Sequence, residues 1–146
     1  VLFSWVIGNS DMHRKNWSLI ENGPLIELAP AYDLLNTTIL LDDDEESALT
    51  LDGTKRGFNH RLLIDYFARE VCMLNDKMIS KSLDNLNAVD WNHHILASKL
   101  SAEDKQKYTN LVHQRLGMLG NFGLWKGKSK DSLEYQNEIR SEWERE

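Results

Sequence analysis

The segment "GNSDMHRKNWSLIENGPLIELAPAYDL", residues 8–34, joins a dense polar loop to two short apolar runs. The runs flank Asn22-Gly23, a dipeptide that tolerates the positive φ angles of a tight turn. This pattern predicts a β-hairpin over residues 17–29. Such a hairpin gives the polar loop a rigid scaffold, on which binding and catalytic groups are often carried.

The expected register of the hairpin brings separated polar residues together. If Glu21 pairs with Pro24, Asn16 lies opposite Ala29, because antiparallel partners keep a constant index sum. Asp33 follows four residues later and returns to the level of the polar loop. We therefore expect the loop and the segment that follows the hairpin to meet at one end of it.

Three residues of the polar loop and of the segment after the hairpin, Asp11, Asn16 and Asp33, suit phosphoryl transfer. Asn16 and Asp33 are predicted Mg²⁺ ligands, because Mg²⁺ prefers hard oxygen ligands and commonly takes only one or two of them from protein. Asp11 is then free to orient an attacking hydroxyl and to accept its proton. His13 or Lys15 would offset the charge on the transferring group. The sequence is equally consistent with Lys15 and its neighbour Arg14 being solvated cations of the loop, without contact to phosphate.

The remainder of the chain is predicted to be helical, which gives a mainly α fold with one small hairpin. "VLFSWVIGN" is typical of the end of a buried helix closed by Gly8 or Asn9. Residues 59–119 carry apolar side chains at helical spacing, with Asn59 and Ser101 as predicted N-caps. "ALTLDG" is expected to form a short extended piece with a turn at Gly53, and "DDDEE" a solvated loop. The helical apolar positions are Leu62, Leu63, Tyr66, Phe67, Val71, Met78, Ile79, Leu83 and Leu86.

Composition excludes several classes of protein. The 146 residues are 41% hydrophobic with a net charge of -6, which suits one globular domain and argues against non-specific nucleic-acid binding. The longest apolar runs fall far short of the roughly 20 residues that span a bilayer, so we expect a cytoplasmic protein without a membrane segment. The single cysteine, Cys72, precludes an intrachain disulfide and is expected to be a buried thiol. His60, His93, His94 and His113 show no metal-binding spacing.

The polar loop also has the residue spacing of a protein-kinase catalytic loop. Asp11 and Asn16 stand at the D-x-x-x-x-N spacing of the protein-kinase catalytic loop. "GNSD" replaces H-R-D, and Tyr32-Asp33-Leu34 replaces D-F-G. With these departures, "WVIGNSDMHRKNWSLI" followed by "LIELAPAYDLLNT" resembles the HipA family of serine/threonine kinases, which are toxins of bacterial toxin-antitoxin systems. The resemblance is dense over residues 1–38 and weaker through the helical region, whose compact length is similar to the HipT branch.

The resemblance implies a protein-kinase-like C-terminal lobe over residues 1–120 and a tail over 121–146. The lobe would comprise a catalytic loop at 8–16, the hairpin, a metal motif at 32–34 and a helical subdomain at 59–119. The implied cofactors are ATP and Mg²⁺, with Asp11 as base, Asn16 and Asp33 as metal ligands, and His13 beside the nucleotide. The implied partners are a protein substrate such as an aminoacyl-tRNA synthetase and a HipB-like antitoxin, with DNA reached only through the antitoxin.

Two other functions compete with this prediction. A metallophosphoesterase also uses D-x-H and G-N-x-D elements, but there they are separate and supported by further ligands, whereas here they overlap. A non-catalytic module, such as a pseudokinase that binds an antitoxin, is harder to dismiss, because no glycine-rich loop or strand lysine for phosphate binding occurs in the sequence. The chain also lacks an initiator methionine and begins within an apolar pattern. We therefore expect a fragment, inactive alone, whose nucleotide-clamping N-terminal lobe lies upstream or on another chain.

Overall fold

The computed structural model describes residues 1–41 and 45–120. Over these residues the fold is mostly helical with one antiparallel hairpin, which confirms the predicted combination of elements. The predictions for the acidic residues 42–44 and for the tail 121–146 lie outside the described residues. Glu45 and Glu46, the last two residues of the acidic run, are half-buried and bonded, so the prediction of a solvated loop is wrong for them. The elements are α1 (Leu2–Val6), a 3₁₀ turn (Arg14–Asn16), β1 (Leu19–Asn22), β2 (Leu25–Leu28), a π helix (Arg61–Val71), α2 (Asp76–Asn87), α3 (Trp91–Ala97) and α4 (Ala102–Leu119).

One hydrophobic core joins all the helices. Helix α4 packs against α1, α2 and α3, so it is the central element of the helical part. Burial of apolar side chains at about 25 cal/mol per Å² is the main stabilising term of such a core. The buried residues are Trp5, Val6, Phe58, Leu63, Ile64, Ile79, Leu83, Leu86, Ile95, Val112 and Leu119.

Side-chain caps define where the helices begin. The Ser101 hydroxyl accepts the Asp104 backbone N–H at 3.1 Å and donates to the Asp104 carboxylate at 2.7 Å. The Asn59 side chain accepts the Leu62 N–H at 3.1 Å. The predicted Ser101 cap is therefore confirmed, whereas Asn59 makes a cap-type bond one residue before His60, which directly precedes the π helix. The bonds from the Asp104 and Leu62 N–H groups each satisfy a backbone donor that a first helical turn leaves without a partner.

The end of the π helix corrects the prediction for Cys72. The thiol is exposed, and so is nearly half of Val71 (49%), although helical spacing placed both in the core. The Cys72 N–H bonds the Phe67 carbonyl at 2.9 Å, an i to i−5 step that is wider than the α-helical one. This wider winding rotates the last turn away from the core. Met78, also predicted to be a core position, is 51% exposed.

A buried arginine ties α4 to α1. Arg115 donates to the Trp5 carbonyl, and its guanidinium carbon lies 5.1 Å from the centroid of the Trp5 ring. Glu46 lies 3.7 Å from the same guanidinium and accepts the Phe58 N–H at 2.6 Å. Burial lowers the pKa of Arg115, and the nearby Glu46 carboxylate partly offsets that shift. This network fixes the end of α1, directly before the polar loop.

The hairpin forms with a different register from the one predicted. Leu19 pairs with Leu28, and Asn22 pairs with Leu25, so the turn is Gly23-Pro24. The expected pairing of Glu21 with Pro24, and of Asn16 with Ala29, is wrong. Proline has no N–H to give to the ladder, so Pro24 favours the turn, where Gly23 adopts a φ of 61°.

Exposed apolar side chains cover the hairpin. Every residue of β1 and β2 is exposed, including Leu19 at 68% and Ile26 at 70%. Further along the chain, the predicted turn at Gly53 is confirmed, with φ at 75° and one bridge between Leu51 and Thr54. That segment forms no extended strand within the described residues. Over the same part of the chain, no helix combines the length and apolar character needed to cross a bilayer.

Candidate functional site

Asn16 and Asp33 meet at the end of the hairpin. The Asn16 amide Nδ2 donates to Asp33 Oδ2 at 2.6 Å. Asn16 closes the 3₁₀ turn of the polar loop, whereas Asp33 lies in the extended segment after β2. The structure thus brings this predicted pair together, even though the register that led to the expectation was wrong.

The backbone of Asp33 is held in an unusual conformation. Its φ is 57°, in the left-handed region, which Asp and Asn enter more readily than most residues with a side chain. The buried Asn9 side chain donates to the Asp33 carbonyl at 3.0 Å. The Tyr32 hydroxyl donates to the Lys15 carbonyl at 2.6 Å. These bonds fix the carboxylate of Asp33 against the loop.

The carbonyl of Gly8 is a second tie between the loop and the segment after Asp33. It accepts the backbone N–H groups of Thr37 and Thr38 at 2.9 and 3.0 Å, and the Thr38 hydroxyl at 2.9 Å. Gly8 has a φ of 80°, and a Cβ there would lie 2.7 Å from Asn36 Oδ1 and from Leu111 Cδ2. Both observations require glycine at this position.

Ser10, the residue directly before Asp11, is also bonded to the segment after Asp33. Its N–H donates to Thr37 Oγ1 at 2.9 Å, and the two hydroxyl oxygens lie 2.8 Å apart. Asn9 is predicted from the sequence only as a helix terminator and Tyr32 only as part of the motif 32–34, and no role is predicted for Ser10 or Thr37. Small polar residues of this kind are common in any loop, so spacing alone gives no signal that distinguishes them.

Asp11 and His13 form a separate pair on the exposed side of the loop. His13 Nε2 lies 2.8 Å from Asp11 Oδ1, and the two side chains are 45% and 60% exposed. Within the described residues Asp11 makes no direct hydrogen bond to Asn16 or Asp33. The loop therefore presents an accessible carboxylate with one oxygen held by an imidazole, next to the amide and carboxylate pair.

Arg14 and Lys15 lie in the 3₁₀ turn between these two pairs. Both side chains are exposed. The Lys15 backbone is fixed by Tyr32, so its side chain extends from a defined point. An exposed cation at this point suits phosphate contact as well as simple solvation.

A mostly apolar cleft of about 240 Å³ opens beside the Asn16–Asp33 pair. Its polar lining includes Asn9, Asn16 and Asp33, whereas Asp11 and His13 do not line it. Concave apolar sites with a few converging polar groups are typical of small-molecule binding. The apolar walls include Phe3, Met12, Trp17, Leu28, Ala31 and Leu34.

The donor set of this cleft fits a magnesium ion. Asn16 and Asp33 offer oxygen ligands, and Mg²⁺ is usually held by one or two such groups together with water and substrate phosphates. Rotation of the Asn16 amide about its terminal torsion would turn its oxygen, in place of its nitrogen, towards a cation next to Asp33. Within residues 1–41 and 45–120, no cluster of three or more His, Cys, Asp or Glu side chains is arranged to hold a metal.

Comparison with known proteins identifies the family of this chain. Residues 1–113 match the family model described as the HipA-like C-terminal domain. A protein of Sinorhizobium fredii named "Putative kinase Y4dM" is 46% identical over 57 residues, which are 38% of this chain and 14% of that protein. The chain thus matches only a small part of that relative's length. The resemblance to HipA proteins is confirmed, and the chain belongs to the HipA-like C-terminal domain family.

Proposed function

We propose that this chain is the magnesium-binding and proton-accepting part of an ATP-dependent serine/threonine protein kinase, folded as a protein-kinase-like C-terminal lobe. The observation that carries the proposal is the 2.6 Å contact between Asn16 and Asp33, both of which line a cleft. The same nine-residue loop also presents Asp11 as an exposed carboxylate. Family membership and the name of the S. fredii relative support a kinase-related role.

Each loop residue has a separate task in this proposal. Asn16 and Asp33 would hold Mg²⁺, which supplies charge neutralisation on the nucleotide phosphates. Asp11 would orient the attacking hydroxyl and accept its proton through Oδ2, because Oδ1 is engaged by His13. His13 thereby fixes the carboxylate and lies near the nucleotide. The exposed ammonium of Lys15 would offset charge on the transferring phosphoryl group.

The remaining parts of the kinase are assigned to other segments of the complete protein. Phosphoryl transfer requires a loop that covers the phosphates and a lysine that contacts them, and we place both in an N-terminal lobe. In keeping with its family, we propose a cytoplasmic toxin that phosphorylates a protein such as an aminoacyl-tRNA synthetase. A HipB-like antitoxin would restrain it and would mediate any association with DNA.

A second candidate function is a non-catalytic interaction module. The exposed hairpin favours it, since Leu19, Ile26 and their neighbours form an apolar surface of the kind that binds other proteins. In this alternative the polar loop has a purely structural role, and the complete protein transfers no phosphate. The two functions are therefore separated by one activity measurement.

The test is transfer of labelled phosphate from ATP by the complete gene product with Mg²⁺. Asp11→Asn should lower the rate by about 10² to 10⁴, the usual contribution of a general base. Asp52→Asn is the matched control, since Asp52 is an exposed aspartate in the turn next to Gly53. Transfer that survives Asp11→Asn would refute the base assignment, and an inactive wild type would favour the interaction module.

A further inference from the structure

We infer that the hydroxyl pair of Ser10 and Thr37 is a positioning device, which fixes the loop that carries Asp11 to the segment that carries Asp33. Thr37 is the central residue of this device. The inference rests on the proposed function, because its purpose is to hold the proton acceptor at a fixed place relative to the metal ligands. Neither residue is assigned any contact with substrate or metal.

The bonds follow one another along the loop without a gap. Three consecutive residues of the loop are each bonded to the segment 33–38: Gly8 to Thr37 and Thr38, Asn9 to Asp33, and Ser10 to Thr37. Asp11 is the first residue beyond this set. Among the described residues, its side chain has one hydrogen-bond or ion-pair partner, His13, on the same loop. On its N-terminal side, the placement of Asp11 relative to Asp33 therefore depends on the bonds made by residues 8–10, and on its C-terminal side on those of Lys15 and Asn16.

Thr37 contributes more to these bonds than its neighbour Thr38. Its Oγ1 accepts the Ser10 N–H at 2.9 Å, lies 2.8 Å from Ser10 Oγ and reaches the Gly8 carbonyl at 3.3 Å. Within the described part of the chain, the Thr38 hydroxyl bonds only the Gly8 carbonyl. A hydroxyl at residue 37 can accept and donate at once, as this arrangement requires.

The bond from the Ser10 N–H to Thr37 is important because Ser10 is buried. Ser10 is 9% exposed, so its N–H has little access to water when Thr37 does not accept it. A buried backbone donor without a partner is costly, and the loop would move to regain one. Thr37→Val has nearly the same shape but no acceptor, whereas Thr37→Ser keeps the hydroxyl and loses only a methyl group.

The first readout is amide hydrogen exchange at Ser10 in the complete gene product, followed by NMR. Thr37→Val should speed exchange of the Ser10 amide by about tenfold, the effect of losing one hydrogen bond of ordinary strength. Thr37→Ser should restore the slow rate. Thr54→Val is the matched control, since that hydroxyl makes two hydrogen bonds to Arg56 in a separate turn. Exchange at Ser10 that is unchanged in Thr37→Val, or equally fast in Thr37→Ser, would overturn the inference.

The second readout is a separation of kcat from KM. Thr37→Val should lower kcat by about tenfold or more, as expected when a reacting group is displaced, with KM for ATP within about twofold of wild type. Thr37→Ser should recover kcat, and Thr54→Val should not alter it. A rise in KM with kcat unchanged would overturn the positioning role. If the wild type transfers no phosphate, the proposed function fails, while the exchange rates still decide whether the Ser10–Thr37 pair holds the loop.

Discussion

Gly8 is the position where a single methyl group should disturb both the fold and the site. It stands between α1 and the polar loop, with a φ of 80°. A Cβ at this position would lie 2.7 Å from Asn36 Oδ1 and 2.7 Å from Leu111 Cδ2. The Asn36 oxygen also accepts the Ile39 N–H at 3.2 Å, so it is not free to move away without losing that bond.

The expected loss of stability in Gly8→Ala has two parts. An L-residue in the left-handed region costs about 1 to 2 kcal/mol. Overpacking against well-placed neighbours costs about 1 to 3 kcal/mol more, and the flexible end of Leu111 should keep this part near the middle of that range. We therefore expect a free energy of unfolding lower by about 3 kcal/mol.

Gly53→Ala isolates the contribution of the close contacts. Gly53 has a similar φ of 75°, but no atom of the described residues beyond Gly53 and its two chain neighbours lies within 4 Å of the place its Cβ would take. Urea unfolding followed by tryptophan fluorescence should show a loss of about 1 to 2 kcal/mol for Gly53→Ala and a clearly larger loss for Gly8→Ala. Equal losses in the two variants would refute the account of how Gly8 packs.

Three further outcomes follow from the buried and exposed groups. Arg115→Ala should lower the free energy of unfolding by about 3 kcal/mol, because it leaves the Trp5 carbonyl and Glu46 without their buried partner. Lys107→Ala, which removes an exposed ion pair on the same helix, should cost under about 1 kcal/mol in the same denaturation assay. Burial raises the pKa of Tyr108 above its ordinary value. The neutral phenol therefore contributes its full stabilisation below about pH 10, and this contribution is lost as the pH rises through the folded-state pKa. In thermal melts, the loss of stability at alkaline pH should be smaller for Tyr108→Phe than for the wild type. Cys72 should react with a thiol reagent in the native protein at the rate of an accessible cysteine, and a reaction that requires denaturant would contradict its exposed position.

Local patterns predicted the elements of this fold better than their details. Apolar spacing and capping residues predicted the helices. The starts of helices are readable from local sequence because Asn59 and Ser101 bond backbone N–H groups only three residues away. The predicted pairs of the hairpin are wrong, because Pro24 has no N–H to give to the ladder and therefore takes a place in the turn, which the turn preference of Asn22-Gly23 does not reveal. The exposure of Cys72 depends on π winding, which 3.6-residue spacing does not reveal.

The candidate site was partly accessible from the sequence. Charge and spacing singled out Asn16 and Asp33, and the two side chains do meet. The direct contact of Asp11 with His13 was not predicted, nor were the roles of Ser10 and Thr37. Those bonds join residues 27 positions apart, and they depend on how the chain folds back after the hairpin. No local pattern carries that information.

The central claim is that Asn16 and Asp33 together hold a divalent cation next to the nucleotide. Mn²⁺ can stand in for Mg²⁺, and its binding to the complete gene product in the presence of ATP can be followed by electron paramagnetic resonance. Asp33→Asn should weaken Mn²⁺ binding by about tenfold or more, because an anionic oxygen ligand is lost. Glu27→Gln, which alters an exposed carboxylate on the hairpin, should leave the affinity unchanged. Equal Mn²⁺ affinity in these two variants would contradict the account.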